Sequence, residues 1–302
     1  MPDDDWGGAF TYKKVGPLQI QADLYRRGGA DGRPAILWFH GGALIMGSRK
    51  SLPPPALLER LLAAGYMVIS ADYRLAPETQ LPGIVEDVED AYAWLLSQGP
   101  DLFGIDPTRV AIAGMSAGGY LTLTAGFRLK PAPEALVSFY GYGDITGAWY
   151  TQPSAFYRER YGLVSREQGY KAVSGPAVSG APTEEAMRGR PDFYLYCRQN
   201  GCWPQDVTGH DPIADAPWFI DYEPIRNVTP AYPPTLLLHG EKDTDVPFEQ
   251  SAMMAAELRR QGVAHEFVSN PEWGHVFDHD ENAPALTAAF DSILGFLAKH
   301  LA

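Results

Sequence analysis

Ser116 stands in Gly114-Met115-Ser116-Ala117-Gly118, between the apolar run Arg109-Val110-Ala111-Ile112-Ala113 and the run Tyr120-Leu121-Thr122-Leu123. Glycines on both sides of a serine at a strand-to-helix junction let two elements pass closely and let the serine take strained backbone angles, which makes Ser116 a candidate nucleophile. The turn sets its hydroxyl at the head of a helix. There, N–H groups without intrahelical partners and the positive end of the helix dipole stabilise a developing oxyanion. A serine hydroxyl is a weak nucleophile at neutral pH, so the chain must also supply a base and a group that fixes the base's tautomer. His275, in Trp273-Gly274-His275-Val276-Phe277, and Asp243, just past Leu236-Leu237-Leu238-His239-Gly240, both fall on loops that follow expected strands. Glu241 and Asp245 share the loop of Asp243 and compete with it for the orienting role. The third requirement is an oxyanion site. His40-Gly41-Gly42 follows an apolar run, and the unshielded amides of Gly41 and Gly42, with that of Ala117, would form one.

Metal chemistry is not expected. His275 and His279 have the i, i+4 spacing of a helical metal pair, but the glutamate of the zinc-protease pattern is missing and Gly274 favours a loop. Cys197 and Cys202 are the only cysteines, and even with His210 they offer no fourth ligand at a recognisable spacing. Free thiols, no metal and no other cofactor are the expectation.

The elements that must position these residues announce themselves by period. Phe10 to Val15 and Leu18 to Tyr25 alternate around Gly16-Pro17 and predict an antiparallel hairpin at a sheet edge. Beyond it, the apolar run Ala35 to Phe39, helical spacing from Pro55 to Ala64 and the apolar run Met67 to Ala71 predict strand, helix and strand, joined by a right-handed parallel crossover. The alternation continues with a helix from Ile84 to Leu96, a strand from Val110 to Ala113, a helix from Ala117 and a strand from Leu136 to Tyr140. It resumes late with a strand Thr235 to His239, a helix Phe248 to Arg260, a strand His265 to Val268 and a final helix within Ala283 to Leu301. Such alternation implies an α/β fold with a mostly parallel central sheet flanked by helices, and ligands held beyond the carboxyl ends of its strands.

Between Gly143 and Ala231 the alternation stops. The stretch carries Trp149, Tyr150, Phe156, Tyr157, Tyr161, Tyr194, Tyr196, Trp203 and Trp218. It is too long for an ordinary connection, and aromatics at this density must be buried. Residues 143–231 are therefore expected to form an ordered cap or lid, with short helices at Ser165 to Val173 and Thr183 to Arg188. The cap would be inserted into a core made of residues 1–142 and 232–302.

Composition narrows the partners. Lys and Arg number 24 against 37 Asp and Glu, and the formal charge of -13 repels nucleic acids and anionic lipid surfaces. No apolar run approaches the roughly 18 to 20 residues that span a bilayer. The start, Met1-Pro2-Asp3-Asp4-Asp5-Trp6, lacks the basic segment and apolar core of an export signal, so a cytoplasmic location is expected. The expected partner is a small molecule, with neither nucleic acid nor membrane; homodimer formation is left open.

The chain resembles the hormone-sensitive-lipase-like esterases, the bacterial family IV type of the α/β-hydrolase superfamily. The resemblance rests on His40-Gly41-Gly42-Ala43, Asp72-Tyr73-Arg74-Leu75-Ala76-Pro77-Glu78, Asp106-Pro107-Thr108-Arg109-Val110, Gly114-Met115-Ser116-Ala117-Gly118-Gly119, His239-Gly240-Glu241-Lys242-Asp243 and Gly274-His275. It covers the chain from about Ala35 onward, apart from the insertion. It implies Ser116 as nucleophile, Asp243 as orienting acid, His275 as base, and Gly41, Gly42 and Ala117 as oxyanion donors, in the chain order Ser, Asp, His of this superfamily. The expected activity is that of a serine carboxylesterase acting on short acyl esters through an acyl-enzyme. An amidase or peptidase, or a lactonase or deacetylase, could use the same residues, and a non-catalytic ligand-binding protein could use the same fold. Ala43 stands where the family often has a third glycine and Met115 where it often has an acid. Relatives commonly build the cap from an N-terminal segment rather than from an insertion such as 143–231. The Asp72 to Glu78 run is expected to be scaffold, with Arg74 bracing nearby acids, and Asp87, Glu89 and Asp90 to lie on a solvated helix face.

Overall fold

The computed structural model describes residues 6–28, 31–181, 183–280 and 282–302. Met1 to Asp5, most of the acidic start, lie outside the described residues. The sheet is built from β1 (Trp6–Val15), β2 (Leu18–Tyr25), β3 (Arg33–Phe39), β4 (Met67–Ala71), β5 (Ile105–Met115), β6 (Ala135–Phe139), β7 (Thr235–Gly240) and β8 (His265–Asn270). Their spatial order is β1-β2-β4-β3-β5-β6-β7-β8. β1 and β2 form the edge hairpin, β2 lies antiparallel on β4, and from β4 to β8 every neighbouring pair is parallel.

Alternation within β3 divides the core into two layers. Ala35, Leu37 and Phe39 pack with helices α2 (Leu81–Phe103) and α3 (Ala117–Arg128), while Ile36 and Trp38 pack with α1 (Pro55–Ala63) and the C-terminal α12 (Leu286–His300). In α1, Leu57, Leu58, Leu61 and Leu62 make one buried stripe, which is the reason this stretch is helical and lies on the sheet. Another sheet helix, α11 (Glu249–Arg260), buries Met254, Ala255 and Leu258.

Three details differ from expectation. Helix α2 continues past Leu96 to Phe103, through Pro100, and stops where Gly104 turns left-handed at φ 75°. Strand β5 begins at Ile105, five residues before its apolar run, because the stretch Asp106 to Arg109 faces solvent and carries no hydrophobic signature. Asp87 is not on a solvated face: it is fully buried, takes two hydrogen bonds from Arg74 Nε and one from Arg74 Nη2 at 2.7–3.0 Å, and pairs with Lys13 at 2.8 Å. Glu89 and Asp90 are half-buried and pair with Arg128 and Lys13.

Between β6 and β7 the chain forms α4 (Ala148–Thr151), α5 (Ala155–Arg160), α6 (Arg166–Lys171), α7 (Glu184–Met187), α8 (Arg190–Asn200), α9 (Trp203–Thr208) and α10 (Ala216–Phe219). Two short 3-10 turns, Ile220–Tyr222 and Pro224–Arg226, lead back to the sheet. α6 and α7 fall within the two expected helices, and α6 starts with a capping box between Ser165 and Gln168. The rest pack through rings and charges. Tyr150 stacks on Trp203 with centroids 4.1 Å apart, Trp203 Nε1 donates to Ala43 O at 3.0 Å, and buried Arg190 holds buried Glu78 with bonds of 2.8 and 2.9 Å. Glu78 closes the Asp72 to Glu78 run, so that run braces both the sheet layer and this segment. Among the described residues no helix is long and apolar enough to cross a membrane.

Candidate active site

Ser116 joins β5 to α3 as the helix N-cap, with φ 53° and ψ -117°, a conformation that L-residues avoid unless their surroundings impose it. The flanking glycines are sterically required. A Cβ on Gly118 would lie 2.0 Å from Phe39 O, and one on Gly114 would lie 2.5 Å from Gly118 O. The Ser116 amide donates to Phe139 O on β6 at 2.9 Å, and Tyr120 N donates to Ser116 O at 3.0 Å, locking the turn to β6 and to the first turn of α3. Ala117, as the first residue of α3, has an N–H with no partner within the helix.

The loop after β7 places Asp243 Oδ2 2.7 Å from His275 Nδ1. Glu241 instead accepts from Ser269, so of the three acids on this loop Asp243 is the one on Nδ1. Its Oδ1 accepts from the amides of Asp245 and Val246 at 2.8 and 2.9 Å, which fixes the carboxylate plane. Burial alone would raise the Asp243 carboxyl. Hydrogen bonds and charge from His239 and His275 outweigh it and hold the group well below the usual carboxylate range. On His275, burial opposes protonation, but Asp245, then Asp243 and Asp278, outweigh it and raise the imidazole above its ordinary value.

Gly41 and Gly42 curl beside Ser116. A Cβ on Gly41 would sit 3.3 Å from Ser116 Cβ, and Gly42, at φ 110°, would press one 2.1 Å from Met46 O. His40, fully buried and stacked 4.2 Å from Tyr73, lies 2.7 Å through Nδ1 from Gly41 O; burial lowers it to about 4, so near neutral pH it is an uncharged donor that shapes this loop. A cavity of about 300 Å³ collects Gly41, Gly42, Ser116 and His275, with Met46, Met115, Met187, Tyr140 and Tyr194 as walls. A larger cleft of about 720 Å³ lies behind the Asp243 loop, against Trp149, Arg198 and Phe248, and contains neither Ser116 nor His275.

Sequence reasoning missed four contributors. His239 Nε2 approaches Val246 O at 3.0 Å and Asp243 Oδ2 at 3.3 Å, while Ser251 lies 2.7 Å from its Nδ1; its place at the end of an apolar strand gave no sign of this. Tyr140 packs edge-on against His275 at 4.7 Å and donates to Asp278 at 2.7 Å. Asp245, considered only as a rival of Asp243, lies with Oδ2 3.4 Å from His275 Nε2. Arg198 meets Asp245 at 2.7 Å, and nothing in its local sequence distinguishes it from a surface arginine.

The cysteines meet a different neighbour from the histidine considered with them. Cys197, Cys202 and Asp206 bring their ligand atoms within 4.8 Å of one another, and His210 is not among them. Neither cysteine is in a disulfide; the Cys197 thiol lies 3.7 Å from Asp206 Oδ2, Tyr170 donates to Asp206 Oδ1, and burial, then Cys202 and Asp206, push the Cys197 thiol up, toward its protonated form.

Fold, strained serine and the paired histidine and aspartate define the α/β-hydrolase class. The chain matches the family described as alpha/beta hydrolase fold over residues 36–279 and belongs to it, as a member of the hormone-sensitive-lipase-like group. It is 31% identical over 91% of its length to a non-reducing polyketide synthase of Emericella nidulans and 28% identical over 97% to one of Aspergillus terreus, but spans only 13% and 14% of those proteins. In structure it is similar to a Staphylococcus aureus protein of unknown function, with TM-score 0.78 and 21% identity, over 98% of this chain and 100% of that one. Esterase 2 of Thermogutta terrifontis, phosphoramylated by tabun, aligns with TM-score 0.68 and 20% identity over 98% of this chain and 94% of its own. These likenesses concern the fold.

Proposed function

We propose that this chain is a serine carboxylesterase with Ser116 as nucleophile, His275 as base, Asp243 as orienting acid, and the amides of Gly41, Gly42 and Ala117 as oxyanion donors. His275 Nε2 takes the Ser116 proton as Oγ attacks the ester carbonyl, and Asp243 stabilises the imidazolium through Nδ1. The carbonyl oxygen becomes the oxyanion and is held by the three amides. Collapse expels the alcohol with the proton from His275, and water then repeats the sequence to release the acid. The single observation that carries this reading is that His275, bonded through Nδ1 to Asp243, and the strained Ser116 line one cavity. Its volume of about 300 Å³, at the lower end of ligand-sized pockets, favours small acyl groups. Residues 143–231 act as the cap, with Met187 and Tyr194 forming part of the pocket wall.

The test is a fluorophosphonate, with the adduct located by peptide mass spectrometry, beside hydrolysis of p-nitrophenyl acetate, butyrate and decanoate. Labelling of Ser116 with acetate or butyrate preferred is the expected result; no adduct and no turnover would leave a ligand-binding protein on this fold. A second reading is favoured by the polyketide synthase relatives, which match most of this chain. The same residues would then cleave an acyl thioester, with the thiol replacing the alcohol as leaving group. Faster turnover of an aromatic acyl thioester than of the matching ester would select it.

A further inference from the structure

His275 is held from both sides. Asp243 takes its Nδ1, and on the opposite edge Asp245 Oδ2 lies 3.4 Å from Nε2, the nitrogen that must serve Ser116. Asp245 is itself gripped by the 143–231 segment. Its Oδ1 accepts from Tyr157 at 2.8 Å, from Tyr194, and from Arg198 at 2.7 Å, and the Arg198 guanidinium also donates twice to its carbonyl at 3.0 Å. Arg198 is buried among the rings of Tyr157, Tyr150, Trp149 and Tyr194, 4.7 to 5.7 Å from its guanidinium carbon. All of these donors lie on α5 and α8, and none belongs to the sheet.

We propose that Asp245 is a positioning residue that clamps the Nε2 side of protonated His275, so that the cap, through Tyr157, Tyr194 and Arg198, sets the pH at which the base is released to Ser116. The inference rests on reading His275 as the general base. A doubly protonated imidazole donates to Asp243 and pairs by charge with Asp245, and cannot take a proton from serine. Once Nε2 loses its proton, its lone pair faces a carboxylate and is repelled, which frees the ring to turn toward Ser116 in the same cavity. The other charged or titratable groups around His275 are Asp278 below it, bonded to the Tyr140 ring that packs on the imidazole, and His239 behind Asp243. Arg198 acts on it only through Asp245. Among these groups Asp245 is the carboxylate placed at Nε2.

Two variants move the clamp in opposite directions. Asp245→Asn removes its charge, so the acid limb of kcat/KM on p-nitrophenyl acetate, and the titration of the His275 imidazole followed by NMR on histidine-labelled protein, both move to lower pH. Tyr157→Phe with Tyr194→Phe removes two donors that spread the Asp245 charge, so both readouts move to higher pH. A merely structural role would change the amplitude of activity without moving either midpoint. If Asp245→Asn does not fold, as judged by its thermal melt, the double phenylalanine variant decides. Unmoved midpoints in the folded variants overturn the proposal. If His275 titrates as expected but the wild-type chain neither hydrolyses esters nor takes the fluorophosphonate, the clamp stands and the esterase reading fails.

Discussion

The sheet layers and the 143–231 segment reach order by opposite means. In the sheet, each buried strand repeats the same arrangement: β3 sends Ala35, Leu37 and Phe39 to one face and Ile36 and Trp38 to the other, and its neighbours supply many equivalent contacts. No single side chain there decides the fold. The segment has helices of 4 to 11 residues, too short to be stable alone, and depends on particular partners such as Arg190 with Glu78, Arg198 with Asp245, and Tyr150 with Trp203. A redundant scaffold tolerates a strained residue such as Ser116. A segment tied by single pairs meets the site through a few atoms, and those atoms are therefore well placed to tune it.

The contrast predicts that changes at the sheet ends strike turnover while changes in the segment strike stability or selectivity. Ser116→Ala removes the proposed nucleophile from a turn fixed by the backbone and is expected to lower kcat by about 10⁴-fold or more with the thermal midpoint nearly unchanged. Asp243→Asn is next, at about 10⁴-fold in kcat, because the proposed base His275 loses its tautomer-fixing partner while the loop amides retain an acceptor. Equal losses in Asp243→Asn and Asp245→Asn at alkaline pH would break the distinction between the two carboxylates. In the segment, Arg190→Met leaves Glu78 buried without its partner and should cost about 3–5 kcal/mol in urea unfolding, with kcat on the surviving folded fraction little changed. A smaller effect follows from Met187→Ala. It enlarges the pocket wall at a half-buried position and is expected to move acyl preference toward longer chains by about tenfold in the kcat/KM ratio of decanoate to acetate.

How much was legible follows the same division. β3 and β4 are continuous apolar runs buried on both faces, and such runs can be read directly; so could the serine turn, because glycine at positions 114 and 118 is sterically compulsory there. Asp87 misled because a charge on an amphipathic helix is ordinarily solvated, and its partners lie off the helix, Lys13 on β1 and Arg74 in the stretch after β4. The segment showed only its aromatic content. α8 was invisible because Arg190, Arg198 and Gln199, which are polar, lie on its buried side, inverting the pattern that marks a helix face. The same inversion hid the route from Arg198 through Asp245 to His275.

The smallest effect sharpens the comparison through pH. The Asp243 carboxyl lies below its unfolded value, so its contribution to stability is present above that unfolded value and is lost as pH falls through the folded one. The His275 imidazole lies above its unfolded value, so its contribution is complete below that unfolded value and is lost as pH rises through the folded one. Both contributions are complete only between the unfolded carboxyl value and the unfolded imidazole value. Urea unfolding of wild type and His275→Gln across pH is therefore expected to differ most on the mildly acidic side and to converge as pH rises past the folded imidazole value. Arg190 and Glu78 carry no such histidine, so the penalty of Arg190→Met should stay flat through that rise; a penalty that fell with it would mean that the segment and the catalytic loop titrate as one unit.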